Sequence, residues 1–519
     1  MDHRQHHLEL RDGLDSVGLP GGHYDHLARC EGVIRARDAD ESLSLKNLQD
    51  GVIGSGVLRE AFVCIEGKDR YGACRGVYEH PADDRAWLIG DQAAGVDDAF
   101  GESLGFSLRH KSRFILQALL LCGMEWGAGR IKPHLFPVYT LNNKRPFVYY
   151  HLILTDACNL CCTYCRGKAF VVDSPDQPGI TIDEDLPVDL DIDLDDLYRF
   201  LAKDPDPVLI LYGGEPLLAP DLVSEIARKA PVSALILHTN GTLLDGLEPA
   251  IANRFDTILV SIDGPESLTD AHRGEGTFDR VMRNLRGLVA GGFGGELIAR
   301  MTVAEDTDIV EAVRYLTENE RFSFPAVHWQ MDANFWNDYG MRDYAAWVSE
   351  SYNPGIRSLV AFWVETMRRE ARVLRWYPFI DPMEDMLLGR PGKLRCGCGH
   401  ANYSIMTDGH IAPCPIMVGM KDYYAGHIAT ADPLHLPVTA VGSPCTECGI
   451  LEFCGGRCLY SNILRPWPEE GRRIVCSTVE NLRAALSAAL PHVRSLIRDG
   501  RIRMEDFSHR RYNSCEIIP

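Results

Sequence analysis

Between residues 149 and 332, short apolar runs at 150–154, 208–212, 234–238, 257–262, 297–303 and 326–331 alternate with stretches of helical period at 221–229, 278–288 and 308–319. This alternation predicts repeated βα units around a parallel sheet, an α/β class. The runs read as nearly continuous hydrophobes, as in Val208-Leu209-Ile210-Leu211, Leu235-Ile236-Leu237 and Ile258-Leu259-Val260, as strands covered on both faces should. Six units either close partly into a barrel or open into a doubly wound sheet. In both cases functional groups gather at the carboxyl ends of the strands. The residues standing there are Gly213-Gly214-Glu215-Pro216, Thr239-Asn240-Gly241 and Ser261-Ile262-Asp263-Gly264.

Beyond residue 332 the pattern becomes helical, most clearly over 355–376, and turns cysteine-rich from Arg395. Residues 403–412 alternate around Asp408-Gly409, a hairpin signal, and an amphipathic helix is expected at 479–498. The boundaries drawn are 1–146, an N-terminal extension; 147–335, the βα domain; 336–394, a helical linker; 395–478, the cysteine-rich domain; and 479–519, a helix and tail. Residues 1–146 carry few periodic runs and are read as a poorly ordered extension, a small recognition domain, or sequence upstream of a true start near Met124 or Val148. Residues 171–198 hold ten acidic side chains and no basic one, read first as a solvated loop and second as a dock for a basic peptide.

Composition narrows the partners. The chain has 519 residues, with 53 Lys plus Arg against 73 Asp plus Glu, a net charge of −20 that disfavours nucleic acid and anionic lipid. The first residues lack the apolar core of a signal peptide, and the best apolar run, 114–124, is too short to span a bilayer, so a soluble cytoplasmic protein with no membrane partner is expected. Seventeen cysteines in a reducing compartment point to metal ligation rather than disulfides.

Directly after the first run, Cys158, Cys162 and Cys165 are spaced CxxxCxxC. Three thiolates on one tight loop can hold three irons of a 4Fe-4S cluster and leave the fourth open, unlike a closed four-thiolate structural site. Zinc or chance is the plain alternative for the triplet alone; ahead of five more βα units, the open cluster is the stronger reading. In this order the motifs of 149–332 resemble the radical S-adenosylmethionine (radical SAM) superfamily. The resemblance implies a partial (β/α)6 TIM-type barrel, with SAM chelating the open iron through its amino and carboxylate groups. It implies that Tyr164 lies near the adenine and that Gly213, Gly214, Glu215 and Pro216 receive the methionyl ammonium. Ser261 and Arg300 would serve the SAM carboxylate and ribose, with Thr239, Asn240 and Asp263 as further pocket residues. Each has a bland alternative, a turn glycine or a surface arginine.

A second constellation runs from Cys396 through twelve residues to Gly409, four more to Cys414, then Cys445, Cys448, Cys454 and Cys458 spaced CxxCxxxxxCxxxC, and finally Cys476. This resembles the SPASM domain of radical SAM enzymes over 395–476. The resemblance implies two auxiliary 4Fe-4S clusters, one on Cys396, Cys414 and Cys458 and the other on Cys445, Cys448, Cys454 and Cys476. One or two zinc sites are the alternative. Cys398 either completes the first group or fills a small-residue position while substrate takes an open iron, the second being preferred. Cys161 is read as a packed small hydrophobe, and Cys30, Cys64, Cys74, Cys122 and Cys515 follow no pattern.

The family chemistry implied is reductive cleavage of SAM to a 5′-deoxyadenosyl radical that abstracts hydrogen from a peptide or protein side chain, with a flavodoxin- or ferredoxin-type electron donor. A ribosomally made peptide is the favoured substrate. Sulfatase-maturing members are similar but carry an Asp base where this chain has Pro415. Arg273-Gly274 and Gln330 are expected on the substrate side, beside His328 and Trp329. The alternatives are a non-catalytic iron–sulfur electron-transfer or scaffold protein and a radical enzyme acting on a small metabolite.

Overall fold

The computed structural model describes residues 148–165 and 180–511, with the backbone of Met124–Gly127 and Arg130–Pro133. The chain divides into two compact units, 26–144 and the remainder. In the first, the described part is the antiparallel hairpin of those two short strands. That hairpin aside, the readings of residues 1–146, the run 114–124, the acidic residues up to 179 and Cys30, Cys64, Cys74, Cys122 and Cys515 lie outside the described residues.

Six parallel strands form the centre of the second unit: β1 (Tyr149–Thr155), β2 (Val208–Gly213), β3 (Ala234–Thr239), β4 (Thr257–Ser261), β5 (Glu296–Val303) and β6 (Ala326–Met331), each beside the next. Helices α1 (Leu194–Leu201), α2 (Pro220–Lys229), α3 (Glu266–Arg273), α4 (Thr277–Ala290) and α5 (Ile309–Glu318) fill the crossovers, and one turn of helix, Pro249–Ala252, joins β3 to β4. The signals are local. Asp308 accepts the Val310 and Glu311 N–H groups as the cap of α5, and Ile309, Ala312, Val313 and Leu316 form its buried stripe. One face of each strand packs on these helices. The other encloses Tyr149, Val208, Ile210, Ala234, Ile236, Leu259, Ile298 and Ala326, the apolar interior of the barrel.

Two elements differ from the periodicity. The helix expected over 355–376 is α6 (Asn353–Glu370), closed by Ala371 in the left-handed region at φ 54°. Arg375–Trp376 then forms β7, parallel to β6, because Trp376 is buried at the sheet edge instead of on a helix face. After α7 (Tyr377–Leu388), the last helix, α8 (Glu469–Arg498), starts ten residues before the expected 479. Its stripe of Val475, Val479, Leu482, Leu486, Ala489 and Val493 keeps the 4-3-4-3-4 spacing beneath a polar first turn, and it packs on α6.

The hairpin expected in the cysteine-rich part is present as β8 (Asn402–Ile405) and β9 (His410–Ala412), with β10 (Gly426–His427) beyond. Its position is the unforeseen feature: β8 pairs in parallel with β1, so the ten-stranded sheet runs β10-β9-β8-β1-β2-β3-β4-β5-β6-β7. Among the described residues no helix is long and apolar enough to cross a membrane.

A buried ionic knot fastens the cysteine-rich segment to α7. Arg395, 5% exposed, donates to Asp381 at 2.5 Å and Asp385 at 2.8 Å and to the Phe453 carbonyl at 2.7 Å. Arg511 reaches Asp385 at 2.5 Å from the other side. Removing one partner of a buried pair leaves the other uncompensated. Arg395→Met should lower stability by about 3 kcal/mol, read as a lower urea midpoint; an unchanged midpoint would contradict this account.

Candidate functional site

The loop after β1 is clamped to the end of β2 by backbone. Gly214 N–H donates to the Thr155 carbonyl at 2.7 Å and Glu215 N–H to the Ala157 carbonyl at 2.9 Å. No side chain fits this contact: a Cβ on Gly213, whose φ is +145°, would lie 2.2 Å from the Thr155 oxygen, and one on Gly214 2.2 Å from the Ala157 oxygen. The glycine pair thus brings the cysteine loop against the second strand. Glu215, fully buried, accepts Leu217 N–H at 3.0 Å, the Thr239 hydroxyl at 2.8 Å and Asn240 N–H at 2.7 Å. Burial raises its carboxyl pKa, and these donors oppose the rise. Asn240 also donates to Asn159 at 2.8 Å, so Thr239 and Asn240 tie β3 to both β2 and the loop.

Cys158, Cys162 and Cys165 come together on this loop, each acting electrostatically on another. Leu160 N–H points at the Cys158 sulfur at 3.4 Å and the Asn240 amide lies 3.8 Å from it. Burial pushes the Cys162 thiol up to about 12, opposed by Arg273. A thiolate is favoured there only with a metal or cation beside it, which is the donor chemistry a cluster requires. Cys161 is exposed, not packed as expected, because the tight loop turns it outward.

Asp263 gathers the surrounding elements. Fully buried, it accepts the Tyr164 hydroxyl at 2.6 Å, Arg273 at 2.9 and 2.8 Å, His272 at 3.2 Å and Thr302 N–H at 3.0 Å. Burial alone would raise its carboxyl, but Arg273, then the bonds from His272, Arg273 and Tyr164, hold it at about 2. Arg273, expected on the substrate side, is buried in this pair. His272 bridges Asp263 and the exposed Asp306, and its carbonyl takes Thr163 N–H at 2.9 Å. His272 was not singled out in the sequence; its only signal was its place beside Arg273.

Ser261 and Arg300 are cross-strand neighbours, and alternation turns both into the barrel. Arg300 donates to Gln330 at 3.1 Å while its buried Nε has no partner. His328, beside Arg300 on β6, is fully buried with both ring nitrogens unpartnered, and burial drives its pKa well down. Such orphaned polar atoms fit a polar ligand in the lumen. Trp329 faces the other way and bonds Tyr352 at 3.3 Å, a core residue.

The C-terminal cysteines form two groups. Cys396, Cys398, Cys414 and Cys458 share one buried cluster with Met417 and Leu459. Cys398 shares the buried cluster with Cys396 and Cys414, and both push its thiol pKa well up, so it sits inside the group rather than beside it. Cys445, Cys448, Cys454 and Cys476 act on one another, Cys476 being delivered by the early start of α8. Each group offers four sulfurs, the donor type of iron–sulfur and zinc sites, while among the described residues no three such side chains stand close enough to share a single metal ion.

The model of the radical SAM superfamily matches residues 152–316. The AdoMet-dependent heme synthase of Methanosarcina barkeri (strain Fusaro / DSM 804) is 38% identical over 138 residues, 25% of this chain and 36% of that protein. The chain thus spans little more than a third of the first curated relatives it matches. Mycofactocin maturase MftC of Mycobacterium ulcerans (strain Agy99) is 23% identical over 340 residues, 61% of this chain and 84% of that one. The structure of anSMEcpe with bound AdoMet and Cp18Cys peptide shares the fold, with TM-score 0.51 and 20% identity over 68% of this chain and 99% of that one.

Gly214→Ala must displace the cysteine loop, with about 1–3 kcal/mol of overpacking read as a lower urea midpoint; an unchanged midpoint would contradict the clamp. Asp263 has its own pH signature. With its carboxyl lowered from 3.8 to about 2, it adds about 2 kcal/mol above roughly pH 4, lost as pH falls through 2. The stability advantage of wild type over Asp263→Asn should therefore shrink between about pH 5 and pH 2 in thermal melts.

Proposed function

We propose that this chain, whose residues 152–316 match the radical SAM superfamily model, reductively cleaves SAM and modifies a peptide or protein side chain, a ribosomally made peptide being the favoured class. The observation carrying the reading is the three-thiol loop clamped by Gly213-Gly214-Glu215 at the mouth of the barrel. When bound, the 4Fe-4S cluster and SAM supply the electron transfer and the 5′-deoxyadenosyl radical.

The chain's residues supply position. Cys158, Cys162 and Cys165 would hold the cluster, and Tyr164, oriented by Asp263, would lie on the adenine side. Gly213, Gly214, Glu215 and Pro216 would receive the methionyl ammonium, with the Glu215 carboxylate held by Leu217, Thr239 and Asn240. Ser261 and Arg300, side by side, take the carboxylate and ribose. Two auxiliary 4Fe-4S clusters belong to this reading, on Cys396, Cys414 and Cys458 with Cys398 as fourth thiol, and on Cys445, Cys448, Cys454 and Cys476. A flavodoxin- or ferredoxin-type protein is the donor class. The boundaries 147–335 and 395–478 remain the working division into barrel and SPASM parts.

The relative that spans most of this chain among those compared is named a maturase, which supports a peptide substrate. The heme synthase relatives, more identical but over a shorter stretch, favour a small molecule as the second reading. An electron carrier without chemistry would need no Gly-Gly-Glu-Pro clamp.

Anaerobically reconstituted protein should hold about twelve irons with matching sulfide, three four-iron clusters. It should cleave SAM under reduction, and Cys162→Ala should abolish cleavage. About four irons plus zinc would remove the auxiliary clusters and with them the main support for a peptide substrate.

A further inference from the structure

Cys454 of one thiol group and Cys458 of the other are separated only by Gly455, Gly456 and Arg457, and all three have positive φ, 71°, 94° and 50°. Two of them need to be glycine. A Cβ at 455 would lie 2.7 Å from the Leu394 nitrogen, and one at 456 would lie 2.8 Å from the Val441 side chain. Arg457 is the third, and a side chain held in this region costs about 1–3 kcal/mol unless its surroundings fix it.

Among the described residues no acid forms an ion pair with it. Arg457 is 8% exposed, its Nε is buried without a hydrogen-bond partner, and among the described residues no carboxylate pairs with its guanidinium. A buried, unpaired guanidinium is costly by several kcal/mol unless an anion faces it. In the chain it stands next to Cys458 of one group and three residues after Cys454 of the other, and its charge acts on Cys454 and Cys476 in one group and on Cys458 in the other. Tyr344 and Tyr352 are the further groups it acts on, and neither is an anion at neutral pH.

We propose that Arg457 is the shared counter-charge of two anionic iron–sulfur centres, one on each thiol group, and that it raises the reduction potential of both. The inference rests on the reading that both groups hold iron. Reduction adds an electron to an already anionic centre, so a fixed cation between the two favours it at each. Arg457 acts through position and charge, without contact with substrate.

The test is an anaerobic redox titration of the full reconstituted chain by electron paramagnetic resonance, following the signals that do not respond to added SAM. Arg457→Gln should lower both midpoints by at least tenfold in the reduction equilibrium, about 59 mV for one electron. Arg457→Lys should retain most of the wild-type potential, and the SAM-responsive signal should not move in either variant. Arg457→Gly, which relieves the left-handed strain, should lower the potentials as glutamine does while unfolding at no lower urea concentration than Arg457→Gln.

Unchanged potentials in Arg457→Gln at full iron content would overturn the inference, as would equal shifts in the lysine and glutamine variants or a shift at one centre only. Zinc in place of iron in the wild type is a different result. It would overturn the iron reading, and the inference with it.

Discussion

The mouth of the barrel depends on one buried carboxylate. Asp263 stands at the end of β4, yet its five donors come from the cysteine loop, from the last turn of α3 and from the backbone of β5. In a region of low dielectric such a charge is tolerable only while every donor stays in place. Tyr164, one residue from Cys165, is therefore held from below by the same atom that fixes Arg273. The geometry of a short, irregular loop is thereby determined by the rigid sheet beneath it.

Much of this was legible because it is periodic or spaced. Six runs of Val, Leu and Ile gave six parallel strands, and Asp408-Gly409 gave its hairpin. Contacts between distant elements left no local mark. Nothing in Asn402–Ile405 announces that it lies along Tyr149–Thr155, since a parallel pair needs only two extended segments of matching length. Arg273 is expected on the substrate side, and its burial opposite Asp263 could not be read from its neighbours in the chain. The end of α6 was missed for a related reason, since Trp376 continues the apolar pattern while the chain has already turned at Ala371.

The thiols divide into groups that sequence order alone would not separate. Cys454 and Cys458 are four residues apart and stand in different groups, whereas Cys476 crosses a helix start to join Cys445. The three residues between Cys454 and Cys458 all have positive φ, which turns the chain sharply from one group to the other. Interleaving of this kind lets a small segment with little apolar interior be fixed by its ligands.

The pairing of β8 with β1 makes the cysteine-rich segment part of the barrel's own sheet. Had it hung on the chain between 336 and 394, its thiols could swing relative to the loop of Cys158, Cys162 and Cys165. Ten strands in one sheet instead set that spacing as a property of the backbone ladder, as rungs set the distance between rails. A barrel cut free before residue 395 would present β1 as an open, wholly buried-type strand edge, a template for sticking to its own kind. The two halves are thus one folding problem, and a gene fragment encoding the first alone would encode an aggregation hazard.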